Sequence, residues 1–295
     1  MTEANVILVV GAGRSGTNFV ARAVAEHPAV TNGYENRFIW NMGQIEKRVD
    51  WRDPAEATSA VRDAIRRALV VMAPTGGILI DKTPGNALRL DFVRNVLPRA
   101  KIVNVIRDGR ASLTSRMRMW GDEGANVQFR SKMSRLAQEW NHARGMMQRG
   151  SLPRNRVPAF AGDSLRILLG SMLGQPRLAG ERVAGLREIV KVHGFEIARA
   201  VQWRETVMAS TMAGRLMSDD LYFEFRYEDL VRHPNKMAIQ LASFLELDTP
   251  GPVITALTRK ADPYRAEAWR GDFSSERLAR LEPVLRPTLD WLGYV

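Results

Sequence analysis

The sequence contains no cysteine and only 4 histidines among its 295 residues. Without cysteine the protein has no disulfide, no thiolate metal ligand and no thiol nucleophile, which suits a reducing compartment. The histidines show no metal-ligand spacing, so we predict a protein that needs no metal. None of them follows a predicted strand, which makes histidine a poor candidate for a catalytic base.

The chain also lacks a long apolar run. No stretch approaches the roughly 18 apolar residues of a membrane-spanning helix. Residues 1–5 carry no basic cluster, and the apolar run Val6–Val10 that follows them is too short for a secretory signal. We therefore expect a soluble, cytoplasmic protein with no membrane span.

Acidic residues are scarce relative to basic ones. The 32 Asp and Glu stand against 43 Lys and Arg, which gives a net charge of +11. A basic protein attracts anionic partners such as nucleic acid, anionic lipid or phosphorylated small molecules. A surface for single-stranded nucleic acid would combine basic with interleaved aromatic residues, whereas the 7 Trp and 5 Tyr of this chain are scattered. We predict no nucleic-acid partner.

Short apolar runs alternate with helical patterns along most of the chain. The runs Val6–Val10, Ile78–Ile80, Lys101–Ile106 and Leu221–Phe225 predict strands buried in a parallel sheet. The helical spacing between them indicates βαβ units. We therefore predict an α/β fold of three layers, in which helices flank a central, mostly parallel sheet, and a single domain that spans residues 1–295.

The middle of the chain, about 121–215, departs from this alternation. Two helical segments, at 132–149 and 194–213, enclose a stretch at 150–185 that proline and glycine interrupt. Leucine, isoleucine and methionine remain frequent throughout. The pattern predicts a helical insert rather than a linker.

A glycine-rich turn, Gly11-Ala12-Gly13-Arg14-Ser15-Gly16-Thr17, joins the first predicted strand to the first helix. Such a turn binds anions through backbone N–H groups, although it can also be a plain connection. Its glycines match the dinucleotide-binding pattern G-x-G-x-x-G, and Glu35 stands where an acidic ribose ligand is expected. However, Val30–Tyr34 is a poor buried strand, and Arg14 would crowd a pyrophosphate. A Rossmann-type oxidoreductase is therefore the alternative.

A third interpretation of the turn is a phosphate loop. Gly11 and Gly16 have the Walker A separation, but Thr17 and Asn18 stand where Gly-Lys-Ser/Thr is required. The missing lysine and hydroxyl argue against a nucleoside triphosphatase or a phosphate-transferring kinase. A phosphate loop without this machinery fits a donor that needs no magnesium bridge.

Three segments resemble the sulfotransferases that use 3′-phosphoadenosine-5′-phosphosulfate (PAPS). Arg14-Ser15-Gly16-Thr17 resembles their 5′-phosphosulfate loop, with arginine first as in the tyrosylprotein branch. Arg107 to Ser115 resembles their 3′-phosphate motif, and Tyr227-Glu228-Asp229-Leu230 resembles their Tyr-Glu-Asp-Leu segment. In these motifs the chain is most similar to the tyrosylprotein and bacterial branches. The resemblance implies a P-loop-like fold, PAPS as donor, adenosine 3′,5′-bisphosphate (PAP) as product and a hydroxyl-bearing acceptor.

The resemblance also implies which residues bind the donor. Asn18 stands where a second threonine is common in the family, so one phosphate ligand differs. Arg265 or Arg270 is expected to close over the donor, and the sequence does not distinguish them. The donor-binding residues implied by the matched motifs are Arg14, Ser15, Gly16, Thr17, Asn18, Arg107, Ser115 and Tyr227.

A further segment, His27 to Arg37, is similar to the one that carries the catalytic glutamate in the tyrosylprotein branch. By this match Glu35 is the base and Arg37 lies beside the acceptor, with His27 as the next candidate for the base. Lys82, after the strand Ile78–Ile80, resembles the lysine that stabilises the transition state. The implied catalytic residues are thus Glu35, Lys82 and Arg14.

The predicted insert is basic between about 150 and 215. If it covers the acceptor side of the sheet, its field favours an anionic acceptor, such as an acidic tyrosyl peptide, an anionic glycan or a glycolipid. Alternatively, its arginines pair with the nearby acids Asp163, Glu181, Glu188 and Glu196. Nothing in the sequence indicates an oligomeric state.

Overall fold

The computed structural model describes residues 5–33, 35–45, 48–73, 77–120 and 178–294, without the side chains of 119 and 120. Five strands form one parallel sheet in the order β2-β3-β1-β4-β5. These are β1 (Asn5–Val10), β2 (Val30–Asn32), β3 (Ile78–Asp81), β4 (Lys101–Ile106) and β5 (Tyr222–Arg226).

Helices connect and cover these strands. Short 3₁₀ turns lie at Pro54–Glu56, Pro84–Leu88 and Ala268–Gly271. The α-helices of the described ranges are α1 (Thr17–Val24), α2 (Arg37–Trp40), α3 (Ser59–Met72), α4 (Leu90–Val96), α5 (Gly109–Trp120), α6 (Leu186–Gly214), α7 (Tyr227–Arg232), α8 (Pro234–Phe244), α9 (Gly251–Lys260), α10 (Tyr264–Glu267) and α11 (Ser275–Trp291).

The central strand β1 is buried on both faces. Ile7 and Val9 pack into a cluster with α1, α7, α8 and α9. Val6, Leu8 and Val10 pack into a second cluster with α3 and α4 on the other face. All five side chains are at most 2% exposed, because successive residues of a strand point to opposite faces. The α/β fold with a parallel sheet between two helical layers is therefore confirmed.

The described end of the predicted insert belongs to the core. Helix α6 begins at Leu186, is non-helical at Gly194 (φ 83°) and continues to Gly214. Its fully buried Trp203 shares a cluster with Leu113 of α5 and Leu281 of α11. The remainder of the predicted insert, residues 121–177, lies outside the described residues. A cover over the acceptor and the single-domain extent 1–295 stay predictions.

The sequence pattern does not predict strand β2. Within residues 30–32 only Val30 is apolar, yet Val30–Asn32 forms β2 and pairs in parallel with Ile78–Ile80 of β3. It lies at the edge of the sheet, where a strand needs a partner on one side only. Within the described ranges, no helix is long and apolar enough to cross a membrane.

Candidate active site

The predicted site residues follow the five strands at one edge of the sheet. Arg14, Glu35, Lys82, Arg107 and Tyr227 stand after β1, β2, β3, β4 and β5, respectively. Because the strands are parallel, their carboxyl ends meet at the edge where α/β folds bind ligands. In sheet order the residues run Glu35, Lys82, Arg14, Arg107, Tyr227, on strands about 4.8 Å apart. The fold brings the predicted residues together, with Arg14 in the middle.

The glycine turn between β1 and α1 is tightly wound. Arg14 and Gly16 both have left-handed backbones, with φ of 71° and 100°. A Cβ atom on Gly16 would lie 2.4 Å from the ring of Tyr227, so the ring rests directly on the turn. Arg14 Nε donates to Ser115 Oγ at 3.0 Å, and this bond joins the two predicted phosphate motifs.

Arg107 connects three parts of the site. Its Nη1 and Nη2 donate to Arg14 O at 2.9 Å and to Arg265 O at 2.6 Å. Its guanidinium carbon lies 4.6 Å from the ring centroid of Tyr227. Burial lowers the pKa of Arg107 below its ordinary value, although Tyr227 and Glu228 oppose the change. The arginine predicted to bind a phosphate thus also fixes the glycine turn.

A cavity of about 1000 Å³ opens beside these residues. Asp262 is the one acidic residue of its lining in the described part of the chain, so the cavity is strongly positive. Its polar lining includes Gly16, Thr17 and Asn18 at the start of α1, and its aromatic lining is Phe19, Tyr227, Tyr264 and Trp269. Its basic lining is Arg14, Arg22, Arg107, Arg118, Lys260 and Arg265.

Two buried polar atoms on residues that line the cavity suit an anionic ligand. Thr114 Oγ1 and Arg107 Nε have no hydrogen-bond partner in the described part of the chain. A buried polar atom without a partner is costly, and phosphate oxygens would provide acceptors for both. The fit of these groups to a phosphorylated nucleotide is therefore good.

The structure distinguishes the two C-terminal arginines. Arg265 lines the cavity, where its Nε donates to Asp262 Oδ2 at 3.1 Å. Arg270 is not part of the lining: it pairs with Glu267 at 2.8 Å and lies over Trp269, 4.7 Å from the ring centroid. Of the two candidates for contact with a donor, Arg265 has the better position.

At the other end of the sheet edge, Glu35 and Lys82 form an ion pair. The lysine side chain is buried, whereas that of Glu35 is 54% exposed. The next residue holds the segment in place: Asn36 N donates to Thr83 Oγ1 at 2.8 Å, and Asn36 Nδ2 donates to Asp81 Oδ2 at 2.8 Å. An accessible carboxylate on a fixed backbone can accept a proton from a bound hydroxyl.

Arg37 takes part in a network beside Glu35. Its Nη2 donates to Gly180 O at 3.2 Å and lies 3.8 Å from Asp50 Oδ2. Burial alone would raise the pKa of Asp50, but Arg37 and Arg182 outweigh it and lower this pKa below 3.8. The structure places Arg37 near the candidate base, while contact with an acceptor stays a prediction.

His27 is remote from this constellation. It precedes β2, whereas Glu35 follows that strand, so the two residues lie at opposite ends of β2. His27 is buried, its Nδ1 accepts from Ala29 N at 3.2 Å and its Nε2 lies 2.9 Å from Thr249 Oγ1. We infer a structural role for it.

Sequence patterns alone missed several cavity residues. Arg22 and Arg118 lie on helices, and Lys260 and Trp269 belong to the C-terminal region. Arg22 and Arg118 lie one helical turn beyond the matched motifs, on α1 and α5, whereas Lys260 and Trp269 are far from those motifs in sequence. Only the local basic and aromatic composition could have suggested them.

The sequence model of the sulfotransferase family matches residues 6–162, about half of the chain. The chain belongs to the sulfotransferase family. This membership confirms the predicted family.

Curated relatives of this sulfotransferase align with part of its length. Protein-tyrosine sulfotransferase 1 of Danio rerio is 30% identical over 124 residues, which cover 37% of this chain and 34% of the relative. A putative protein-tyrosine sulfotransferase of Caenorhabditis briggsae is 31% identical over 120 residues, or 37% and 42% of the two chains. The matches therefore span less than half the length of these relatives.

Solved structures resemble the sulfotransferase over nearly its whole length. The sulfotransferase domain from the curacin biosynthetic pathway has a TM-score of 0.55 at 12% identity and covers 100% of this chain and 99% of its own. Mouse sulfotransferase SULT7A1, complexed with PAP, has a TM-score of 0.50 at 11% identity, with 97% and 85% covered. At such low identity, the likeness concerns the fold.

Proposed function

We propose that this sulfotransferase moves a sulfuryl group from PAPS to a hydroxyl-bearing acceptor, with Glu35 as the base. One observation carries the proposal: a positive, nucleotide-sized cavity and an accessible carboxylate–lysine pair lie on either side of Arg14 at one sheet edge. Sulfuryl transfer requires both an anion site for the donor and a base for the acceptor.

The donor, when bound, supplies a sulfuryl group attached to a good leaving phosphate. Arg14, Ser15, Gly16, Thr17 and Asn18 would hold its 5′ end, because their turn provides backbone N–H groups and a cation at a helix N-terminus. The mouse sulfotransferase that binds PAP shares the fold, which supports a nucleotide of this kind.

The 3′-phosphate would lie farther along the cavity. Arg107 and Ser115 would hold it, since a guanidinium offers a planar fork of donors to a phosphate. The ring of Tyr227 would hold the Arg107 guanidinium in place through the contact described above. Arg265, next to Arg107 through its carbonyl, would then provide an additional cation.

On the acceptor side, each member of the ion pair would have a distinct task. Glu35 would take the proton of the acceptor hydroxyl. The hydroxyl oxygen would bond to sulfur while the bond between sulfur and the bridging oxygen of the leaving phosphate breaks. Lys82 orients the Glu35 carboxylate and, with Arg14, would neutralise charge on the transferred group and the leaving phosphate.

No metal enters this proposal. Within the described ranges, no group of three or more histidine, aspartate or glutamate side chains could hold a metal ion. The cations of Arg14, Lys82 and Arg107 would supply the positive charge that a magnesium ion provides to phosphate-transferring enzymes.

The decisive experiment is a transfer assay with labelled PAPS against a panel of phenols, tyrosyl peptides, saccharides and lipids, with and without EDTA. We expect transfer to at least one class, unaffected by EDTA. PAP should also raise the melting temperature by binding the folded state, and adenosine 5′-monophosphate should do so far less because it lacks the 3′-phosphate. Equal stabilisation by both nucleotides, or activity restored only by magnesium, would contradict the proposal.

A further inference from the structure

The backbone of Gly13, ahead of Arg14 in the glycine turn, is held on two sides by a single ion pair. Gly13 N donates to Glu181 Oε1, and Arg116 Nε donates to Gly13 O at 3.1 Å. Arg116 Nη2 lies 3.0 Å from Glu181 Oε2, and both side chains are 0% exposed. The pair therefore fixes the N–H and the C=O of the same residue.

A third side chain completes this buried network. Gln202 of α6 accepts from Arg116 Nη1 through its Oε1 and donates to Glu181 O at 2.6 Å through its Nε2. A buried ion pair is weak support for stability, because desolvation offsets much of the attraction. Its two hydrogen bonds to the turn point instead to a role in positioning.

The close approach of the pair explains why residue 13 is glycine. A Cβ atom there would lie 2.8 Å from Arg116 Nη2 and 3.0 Å from Glu181 Oε1. Any side chain would push the ion pair away from the turn. The contact with this ion pair thus favours glycine at residue 13.

The segment around Glu181 also reaches the acceptor side. Gly180 O accepts from Arg37 Nη2 at 3.2 Å. Arg182 O accepts from Asp50 N at 2.7 Å, and Arg182 N donates to Asp50 Oδ2 at 2.9 Å. Residues 180–182 therefore contact both the glycine turn and the network of Arg37 and Asp50 beside Glu35.

We propose that Glu181 is a positioning residue for sulfuryl transfer. It aligns the glycine turn with the segment that carries Glu35. The inference rests on the proposed function of this site. Arg116 balances the charge of Glu181, so a carboxylate can hold the turn without repelling an anionic donor. Transfer is sensitive to such alignment, because a displacement of about 1 Å can reduce rates about 100-fold.

The test compares Glu181→Gln with Glu188→Gln, an exposed acid in the first turn of α6 that loses the same charge. PAP affinity, kcat and acceptor KM are measured at a temperature where circular dichroism shows both variants folded. We expect Glu181→Gln to weaken PAP binding about tenfold and to lower kcat about 10–100-fold, with little change in acceptor KM. Glu188→Gln should match the wild type.

A purely structural role would lower the melting temperature and leave PAP affinity and kcat unchanged in the folded protein, which would overturn the inference. If Glu181→Gln does not fold, Arg116→Lys replaces it, because lysine keeps the charge but cannot bond Gly13 O and Glu181 in the same fork geometry. Unchanged affinity and kcat in folded Arg116→Lys would likewise overturn it. Failure of the wild type to bind PAP would instead refute the proposed donor, and the inference with it.

Discussion

At the scale of single residues, Glu35 and Lys82 differ in exposure although they are paired. Only the glutamate is accessible to an acceptor. Glu35→Gln keeps the size of the side chain and removes the proton acceptor, so turnover should fall about 10²–10⁴-fold, as for loss of a general base. PAP affinity should hardly change, because Glu35 lies on the other side of Arg14 from the positive cavity.

Steady-state kinetics and PAP titration would measure both effects. Glu26→Gln is the matched control, because Glu26 is exposed at the end of α1, before β2 rather than after it. Near-normal turnover of Glu35→Gln would place the base elsewhere.

Asp81, next to Lys82, should make the stability of the folded protein depend on pH. Burial raises the pKa of Asp81 above its ordinary value of 3.8, and hydrogen bonds from Asn36 and Trp40 only partly oppose this. Between the ordinary pKa and the raised one, Asp81 therefore keeps its proton in the folded protein and releases it in the unfolded chain. The associated stability is complete below about pH 4 and is lost as pH rises through the raised pKa.

Asp81→Asn cannot ionise, and its amide oxygen can still accept from Asn36 and Trp40. Its stability relative to the wild type should therefore increase as pH rises from about 4. Urea unfolding of both proteins across that range tests the sign. Parallel stability curves would show that Asp81 titrates normally.

At the scale of the element, the glycine turn depends on Tyr227 at the start of α7. In Gly16→Ala, the new Cβ would meet the tyrosine ring at 2.4 Å and would sit on a backbone with φ of 100°. We expect a loss of about 1–3 kcal/mol from this strain, or roughly 2–4 °C in melting temperature per kcal/mol, together with weaker PAP binding as the ring moves under Arg107.

Gly251→Ala provides the control, because residue 251 begins α9 and an added Cβ there meets nothing within 4 Å. Differential scanning calorimetry and PAP titration of both variants suffice. Equal behaviour of the two would indicate that the ring yields without cost.

The elements also show which features a sequence can predict. The four apolar strands and the motifs after β1 and β4 are local patterns, and they occur where they were predicted. Strand β2 was underestimated because pairing with β3, rather than apolar content, stabilises a three-residue edge strand. Helix α6 was assigned to an insert because its contacts with α5 and α11 connect residues far apart in sequence.

Long-range contacts likewise limited prediction of the site. Glu35, Lys82 and Arg107 follow strands, so a resemblance of short motifs suffices to find them. Glu181 touches Gly13 across 168 positions, and from sequence it was only a possible partner for nearby arginines. Its role depends on where α6 packs, which no local pattern encodes.

At the scale of the whole molecule, the net charge of +11 makes a prediction about the acceptor. A summed positive field accelerates capture of anions and weakens as salt shortens the Debye length from about 30 Å at 0.01 M to about 8 Å at 0.15 M. For an anionic acceptor, its KM at saturating PAPS should therefore rise between about 20 and 300 mM salt. A neutral acceptor of similar size is the control. A flat KM for the anionic acceptor would exclude electrostatic capture.

Trp269 provides an intrinsic optical reporter for the positive cavity. Its indole lines the cavity, and the guanidinium carbons of Arg110 and Arg270 lie 4.2 and 4.7 Å from its ring centroid. The emission of an indole depends on nearby charge, so an anion that enters the cavity should change the fluorescence without any label. We expect PAP to shift or quench the emission, Trp269→Phe to abolish that response and Trp51→Phe, at an exposed position, to retain it. Titration by fluorescence would then report PAP occupancy of the cavity in every variant that keeps Trp269, even one with no turnover at all.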